Sequence, residues 1–285
     1  MISEAQFQKE LELIISNAIR EDVGDGDHSS LACIPVSAQG KAKLLVKDEG
    51  IIAGVEFAKM IFHYVDKDMK VETFINDGER VKYGDVVFHV SGSSQSILKA
   101  ERLVLNSMQR MSAIATKTKM FVDLLEGTKT KILDTRKTTP NFRLAEKWAV
   151  RIGGGVNHRF GLYDMILIKD NHIKAAGSVT AALEAAKKYC QQAQINKPVL
   201  VEVKNKAELK EALQFDFVSR ILLDNMTPAE VVQMVVLNNH QKALEVSGGV
   251  NQNNIVAYAA TGVDYISIGD ITHHIESVDI SLKIF

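Results

Sequence analysis

Three positively charged side chains follow one short apolar run near the middle of the chain. Arg136, Lys137 and Arg143 lie in the segment DTRKTTPNFR, directly after the apolar residues of KILDT. A guanidinium group binds a carboxylate or phosphate through two parallel hydrogen bonds, and a lysine adds a compact point charge. Their spacing predicts a binding site for an anion with more than one charged group.

A second group of cations lies in the segment NHRFGLYDMILIKDNH, which contains His158, Arg159 and Lys169. We predict that Lys169 is inside a strand, where an ammonium group is costly without an anionic partner. The alternative is that all these charges lie on a solvated surface. The chain has 34 Lys and Arg against 35 Asp and Glu. Because nucleic-acid-binding proteins usually carry a basic excess, the pattern favours a small anionic ligand.

Two carboxylates end neighbouring apolar runs, Glu202 in LVEVK and Asp224 in ILLDN. Mg²⁺ in enzymes usually binds one or two carboxylates and completes its shell with substrate phosphates and water. The pair therefore predicts a magnesium site. The alternative is a structural role, in which these carboxylates form salt bridges with Lys169 or Lys204.

A glycine-rich turn, SGGV, contains Ser247, Gly248 and Gly249 and comes before a predicted helix start. Backbone amides at the positive end of a helix bind phosphate. Gly269 follows the last apolar run, and the last two strand loops of α/β barrels often bind phosphate. The alternative for SGGV is an ordinary turn.

The elements that must position these residues alternate between short apolar runs and helical segments. This order is typical of βα units with a parallel sheet, either as a reduced barrel or as an open sheet. Ligands of such folds bind where the strands end. The six runs are KILDT, MILIKD, PVLVEVK, RILLDN, ALEVSGG and YISIGD.

The first hundred residues predict a small α+β domain. Ser3 and Gln6 form a predicted capping box for the first helix, and GDGDHSS is a predicted loop. Short alternating runs then predict antiparallel strands. A long helical segment follows, with a predicted break near Ser112.

Several features predict a cytoplasmic protein that does not enter a membrane. The N-terminal segment contains Glu4, Glu10 and Glu12, which a signal peptide would lack, and no apolar run approaches the ~20 residues that span a bilayer. Cys33 and Cys190 have no metal-ligand spacing, so we predict two buried thiols in a reducing compartment.

Several motifs together resemble the quinolinate phosphoribosyltransferase family: DTRKTTP, GGGVNHRFGL, LIKDNH, VEVKN, ILLDN and EVSGGV, in this order. The resemblance implies an N-terminal α+β sandwich over residues 1–110, joined by the tail 275–285. It also implies a catalytic α/β barrel of six parallel strands over residues 111–274. The family further implies a homodimer with a shared active site.

The resemblance implies phosphoribosyl transfer from 5-phosphoribosyl 1-pyrophosphate to quinolinate, with Mg²⁺ and with release of pyrophosphate and CO₂. Its product is nicotinate mononucleotide, a precursor of NAD. The implied quinolinate ligands are Arg136, His158, Arg159, Lys169 and, from the partner subunit, Arg102. Lys137, Glu202 and Asp224 are the implied catalytic residues, the last two also for the metal. The implied phosphate ligands are Lys137, Ser247, Gly248, Gly249, Gly269 and His273.

The sequence departs from the family at Asn141 and Phe142, where many relatives have Gly-Leu, and at Ser112-Ala113-Ile114, where many have Ser-Gly-Ile. Three other functions remain as alternatives. Lys169 would form a Schiff base in an aldolase-type barrel. A related phosphoribosyltransferase would act on nicotinate, which has one carboxylate. A non-enzymatic anion-binding module would bind the dicarboxylate without releasing CO₂.

Overall fold

The structure, a computed structural model, describes residues 4–285. The predicted capping box lies outside the described residues, because it requires Ser3. The chain forms two compact units. One contains residues up to 119 with 138–154 and 271–285, and the other contains 120–137 and 155–270. The predicted domain limits differ from this division because they place residues 111–119, 138–154 and 271–274 with the barrel.

Helices and strands are mixed throughout the described residues. Up to residue 130 they are α1 Glu4–Val23, α2 His28–Cys33, β1 Gln39–Val46, β2 Gly50–Ile51, α3 Val55–Val65, β3 Lys70–Thr73, β4 Arg80–Val81, β5 Val86–Ser93 and α4 Ser94–Leu124. After it they are β6 Lys131–Leu133, α5 Arg143–Ile152, β7 Ile166–Ile168, α6 Asp170–Ala176, α7 Val179–Gln192, β8 Val199–Val203, α8 Lys206–Leu213, β9 Val218–Asp224, α9 Pro228–Asn238, β10 Ala243–Ser247, α10 Ile255–Ala259, β11 Tyr265–Ser267, α11 Asp270–His273 and β12 Ile280–Ile284.

The first unit contains a four-stranded antiparallel sheet in the order β12-β1-β5-β3. The last strand of the chain pairs with the first, and Val46 lies opposite Ile280. Phe62 of α3 packs edge-on against Phe88 of β5 with 5.9 Å between ring centroids. Both rings are fully buried, so this aromatic pair anchors the helix to the sheet.

Helix α4 is continuous over 31 residues, so the predicted break near Ser112 is wrong. The Ser112 hydroxyl accepts from the Ala53 N–H at 2.9 Å and donates to the Ala53 carbonyl at 3.2 Å. A serine inside a helix can disturb it by bonding to the helix backbone. Here the backbone of Ala53 occupies the hydroxyl instead, and the helix continues.

Two smaller predictions are also wrong. Residues 28–30, predicted as the end of a loop, begin helix α2, because the Asp27 carboxylate caps the helix by accepting from the Ser30 N–H at 3.1 Å. Cys33 is exposed and Cys190 half-buried. Helix α2 buries only Ser30, so a thiol at its last position remains in solvent.

The second unit contains six parallel strands in the order β6-β11-β10-β9-β8-β7. This is the circular order of a barrel, which confirms the predicted six-stranded α/β barrel. Within residues 4–285, β6 and β7 at the two ends of this order are not paired with each other. Val156, between them in the chain, forms an isolated parallel bridge with Leu133 of β6. All five residues of β8 are buried, as expected for a strand covered on both faces.

In the described part of the chain, no helix is both long enough and apolar enough to cross a membrane.

Candidate active site

The polar residues of the second unit gather where its six strands end. Parallel strands all end at the same edge of a sheet, so the predicted convergence follows from the observed registers. The residues at or after these ends are Asp134, Lys169, Glu202, Asp224, Ser247 and Gly269.

Two guanidinium groups of this edge lie within electrostatic range of one another. The pKa of Arg159 is lowered, first by partial burial and then by the positive charge of Arg136. Asp164 acts in the opposite direction. The Arg159 Nη1 donates to the Met165 carbonyl at 3.4 Å, and Arg136 is exposed. Because like charges repel, this arrangement favours a bound anion that touches both groups.

Asp134 connects the two cationic segments of the sequence. Its carboxylate is fully buried and accepts from the Asn157 Nδ2 at 2.6 Å and from the His158 N–H at 2.7 Å. Asp134 directly follows β6 and precedes Arg136 by two residues. The contact therefore holds the segment NHR beside the segment TRK.

The His158 ring has protein partners at both nitrogens. Nδ1 accepts from the Arg159 N–H at 2.7 Å, so the ring proton is on Nε2. Nε2 lies 3.3 Å from Oε1 of Glu245. The side chain is 7% exposed. Contact between this ring and a substrate carboxylate stays a prediction, and the observed partners favour a supporting role.

Glu245 is a buried carboxylate that the sequence analysis did not identify. It lies inside β10, accepts from the Arg220 Nη1 at 2.8 Å and accepts from the Ser267 hydroxyl. The Arg220 guanidinium lies over the Tyr265 ring, 4.0 Å from its centroid. Burial alone would raise the pKa of Glu245, but its bonds to His158, Ser267 and Arg220 lower it. The sequence did contain a signal for this pair, because Glu245 and Arg220 each lie within an otherwise apolar run.

Glu202 and Asp224 lie near each other at the ends of β8 and β9. Burial raises the pKa of Glu202, the Asp224 charge raises it further, and Lys169 opposes both effects. Asp224 accepts from the Ser247 hydroxyl at 3.3 Å and from the Asn225 Nδ2 at 2.9 Å. A carboxylate whose ionisation is opposed by a neighbouring carboxylate is suited to bind a cation together with that neighbour.

Lys169 lies just outside its strand, so the prediction of a strand-interior ammonium group is wrong. Strand β7 ends at Ile168, and Lys169 is an exposed residue at the N-cap of α6. Its N–H donates to the His172 Nδ1 at 2.9 Å. Lys204, named as an alternative salt-bridge partner for Glu202 or Asp224, bonds instead to the Asp170 Oδ2 at 3.1 Å.

The SGG turn has the positive φ angles that glycine adopts without strain, but no helix follows it directly. Gly248 has φ 93° and Gly249 has φ 64°. Helix α10 starts only at Ile255 and has five residues, so the predicted contribution of a helix end is wrong. The carbonyl of Gly249 accepts from the Asn254 Nδ2 at 3.0 Å, which keeps the turn closed.

The remaining predicted residues lie in different parts of the chain. Lys137 is exposed in the second unit, and its N–H donates to the Thr135 Oγ1 at 3.0 Å. Gly269 lies between β11 and α11 in the same unit. Arg102, on α4, and His273, at the end of α11, are exposed residues of the first unit.

Comparison with known proteins gives a consistent result over nearly the whole chain. The family model described as "Quinolinate phosphoribosyl transferase, C-terminal domain" matches residues 114–283, and the N-terminal domain model matches residues 27–112. A "Quinolinate phosphoribosyltransferase [decarboxylating] 1b" from Nicotiana tabacum is 44% identical over 96% of this chain and 82% of its own.

Two bacterial proteins are also similar. A "Probable nicotinate-nucleotide pyrophosphorylase [carboxylating]" from Bacillus subtilis is 40% identical over 96% of this chain and 93% of its own. The solved structure of the nicotinate-nucleotide pyrophosphorylase from Francisella tularensis is 39% identical and superimposes with a TM-score of 0.89, covering 97% of this chain and 96% of the other.

Proposed function

The chain belongs to the quinolinate phosphoribosyltransferase family, and we infer that it is a carboxylating nicotinate-nucleotide pyrophosphorylase, a pentosyltransferase of NAD synthesis. It transfers the phosphoribosyl group of 5-phosphoribosyl 1-pyrophosphate to quinolinate. The products are nicotinate mononucleotide, pyrophosphate and CO₂.

The single observation that carries the substrate assignment is that the hydrogen bonds of Asp134 hold the segment of Arg159 beside the segment of Arg136. Quinolinate is a dianion, and two guanidinium groups match two carboxylates in charge and in hydrogen-bonding geometry. Nicotinate, with one carboxylate, would leave one cation without a partner. In this proposal Lys169, directly after β7, completes the pocket, and the His158 ring supports Arg159.

The residues of the second unit are suited to support bond breaking at the ribose. When the bond from the anomeric carbon to pyrophosphate breaks, the ribose acquires oxocarbenium character, as in glycosyl transfer generally. Glu202 and Asp224 hold the ribose hydroxyls, and Lys137 stabilises the leaving diphosphate as its negative charge grows. The amides of Gly248, Gly249 and Gly269 bind the 5′-phosphate in this proposal, together with the Ser247 hydroxyl, and His273 stays a predicted phosphate ligand.

The quinolinate ring then supplies the new bond. Its nitrogen attacks the anomeric carbon and becomes a pyridinium, whose positive charge stabilises the electron pair left on the adjacent ring carbon when the carboxylate leaves as CO₂. That carbon then takes a proton from water, which gives the C–H of nicotinate mononucleotide. No side chain forms a covalent intermediate in this proposal. The protein contributes position and charge, which can account for a large part of a rate enhancement.

We include Mg²⁺ in the proposal because Glu202 and Asp224 fit the ion. The charge of Asp224 raises the cost of ionising Glu202, and a hard cation bound by these carboxylates would remove that cost. Such sites normally include substrate phosphates, which agrees with a site of only two acidic residues. When bound, the ion supplies positive charge that stabilises the diphosphate leaving group.

A homodimer is the second part of the proposal that goes beyond the family assignment. Arg102 is exposed on α4, as expected for a residue that serves the quinolinate pocket of a partner subunit.

Cytoplasmic location is the third part. It is supported by Cys33 and Cys190, which form no disulfide and therefore fit a reducing compartment.

The test is a reaction of the purified protein with quinolinate, 5-phosphoribosyl 1-pyrophosphate and Mg²⁺, with quinolinate labelled at the carboxylate beside the ring nitrogen. We expect labelled CO₂ and nicotinate mononucleotide in equal amounts. Binding of quinolinate without CO₂ would indicate a binding module. Turnover of nicotinate alone would indicate the related phosphoribosyltransferase. Borohydride trapping of a carbonyl substrate on Lys169 would indicate the Schiff-base enzyme.

A further inference from the structure

We propose that Glu245 is a positioning residue for the quinolinate site, acting through the His158 ring on Arg159. This inference rests on the proposed function, because it concerns the affinity for quinolinate. Glu245 is fully buried inside the barrel and is separated from Arg159 by the whole imidazole ring. It therefore acts on the ligand without touching it.

The connection runs through two consecutive polar contacts, and a third fixes the backbone of His158. Glu245 faces the His158 Nε2 at 3.3 Å, and the opposite ring nitrogen accepts from the Arg159 N–H at 2.7 Å. The His158 N–H also donates to the buried Asp134 at 2.7 Å. The backbone on both sides of the His158 side chain is thus fixed by hydrogen bonds, and the Arg159 side chain departs from a held position.

The carboxylate also selects the tautomer of the ring. A negative charge beside Nε2 keeps the proton on that nitrogen, which leaves the Nδ1 lone pair for the Arg159 N–H. With the proton on Nδ1, two donors would face each other and Arg159 would lose its support. Other groups that face Glu245 are Arg220 and the Ser267 hydroxyl, and both stabilise its charge.

Arg220 explains why the carboxylate persists in an apolar barrel. The guanidinium neutralises Glu245 from β9 and lies over the Tyr265 ring from β11. Glu245 therefore has one charged partner on a neighbouring strand and still presents Oε1 to His158. A structural ion pair alone would need only Arg220. The contact of Glu245 with the His158 ring, which supports Arg159, links this ion pair to the ligand.

The test compares Glu245→Gln with the wild type by direct titration of quinolinate and, separately, of 5-phosphoribosyl 1-pyrophosphate. We expect the Kd for quinolinate to rise about 10- to 100-fold, as for a small displacement of a positioned group, and the other Kd to change less than about twofold. Ser267→Ala is the matched control, because it removes a hydrogen bond to Glu245 while the carboxylate still faces His158. We expect its quinolinate Kd to stay near that of the wild type.

A spectroscopic measurement separates this proposal from a merely structural role. Nitrogen NMR of histidine-labelled protein should show an unprotonated Nδ1 at His158 in the wild type and a mixture of tautomers in Glu245→Gln. A single unchanged tautomer, or an equal rise of both Kd values, would overturn the proposal. The NMR result also stands without any substrate. If the wild type binds no quinolinate, the proposed function is wrong. The NMR measurement still shows whether Glu245 controls the tautomer of His158.

A second variant covers the case in which Glu245→Gln does not fold, since it leaves the charge of Arg220 without a partner. In His158→Asn the side-chain oxygen can still accept from the Arg159 N–H, but the contact with Glu245 is lost. We expect a rise in the quinolinate Kd similar to that of Glu245→Gln and, where both fold, no further rise in the double variant. A wild-type Kd in His158→Asn would contradict the proposal.

Discussion

The Arg110 Nε donates to the Oε1 of Glu146 at 2.6 Å, and the Glu146 side chain is completely buried. The same guanidinium donates through Nη2 to the Thr272 carbonyl at 3.0 Å. Glu146 also accepts from the Thr139 N–H at 3.3 Å. One ion pair thus connects three separated segments of the first unit.

We expect Arg110→Met to destabilise the protein by about 2–4 kcal/mol, because it leaves a buried carboxylate without its cation. Chemical denaturation measures the change. Lys59→Met is the control, since it removes an exposed pair with Glu56 and should cost less than about 1 kcal/mol. Equal losses in the two variants would show that burial does not determine the strength of these pairs.

Gly248→Ala should disrupt the turn after β10. A Cβ at Gly248 would lie 2.1 Å from the Asn225 Oδ1, and the φ of 93° is unfavourable for any side chain. We expect a loss of more than about 1 kcal/mol in stability and weaker binding of 5-phosphoribosyl 1-pyrophosphate. Thermal denaturation and ligand titration measure the two effects.

Gly249→Ala is the matched control for that turn. Its φ is 64°, and an added Cβ would meet nothing within 4 Å. Only the backbone penalty remains, about 1 kcal/mol or less. If the two alanine variants behave alike, the clash with Asn225 is relieved by a small movement, and the turn is less rigid than the structure indicates.

Glu202→Gln should stabilise the ligand-free protein at neutral pH. The pKa of Glu202 is raised above its ordinary value of 4.5, first by burial and then by Asp224. The folded protein binds this proton more tightly than the unfolded chain, so its stability falls as the pH rises from 4.5 through the folded pKa. Glutamine cannot ionise, so Glu202→Gln should be more stable than the wild type at neutral pH. This difference in stability should vanish in acid, where Glu202 is protonated. Thermal denaturation across this pH range measures the effect.

Glu230→Gln provides a control of opposite sign. Hydrogen bonds from the Thr227 backbone and hydroxyl lower the pKa of Glu230 below its ordinary value of 4.5. Its ionised form therefore stabilises the folded state above that value, and the contribution is lost as the pH falls through the folded pKa. We expect this variant to be less stable than the wild type at neutral pH. The same sign for both variants would refute the pKa directions.

Arg136→Ala should raise the Kd for quinolinate at least ~100-fold, because a charged hydrogen-bonding partner of a dianion contributes several kcal/mol. Calorimetric titration measures it. Arg151→Ala, which removes an exposed cation of α5, is the control and should bind quinolinate normally. Near-normal affinity in Arg136→Ala would remove the basis of the substrate assignment.

The barrel and its active edge were predictable because short apolar runs with polar ends are a local signal. Each of the six predicted runs contains a strand, and the polar residue at each end lies on one edge. Exact strand limits were less predictable. Lys169 was placed within β7, which ends one residue earlier, and the sequence has no cap signal there.

The buried centre of the barrel was not predicted. Glu245 and Arg220 lie on neighbouring strands and interact over a separation of 25 residues. Each alone is an isolated charge in an apolar run, and only the pairing of β9 with β10 brings them together. His158 was identified, but its two ring partners depend on that same tertiary arrangement.

The pairing of β12 with β1 affects the order in which the protein can form during synthesis. Residues 280–284 complete a sheet whose first strand starts at residue 39, so that sheet stays unfinished until residues 280–284 have been synthesised. The six barrel strands all lie between residues 131 and 267, and they leave the ribosome before the tail does. The exposed edge of β1 is therefore open to wrong partners in the nascent chain until β12 arrives.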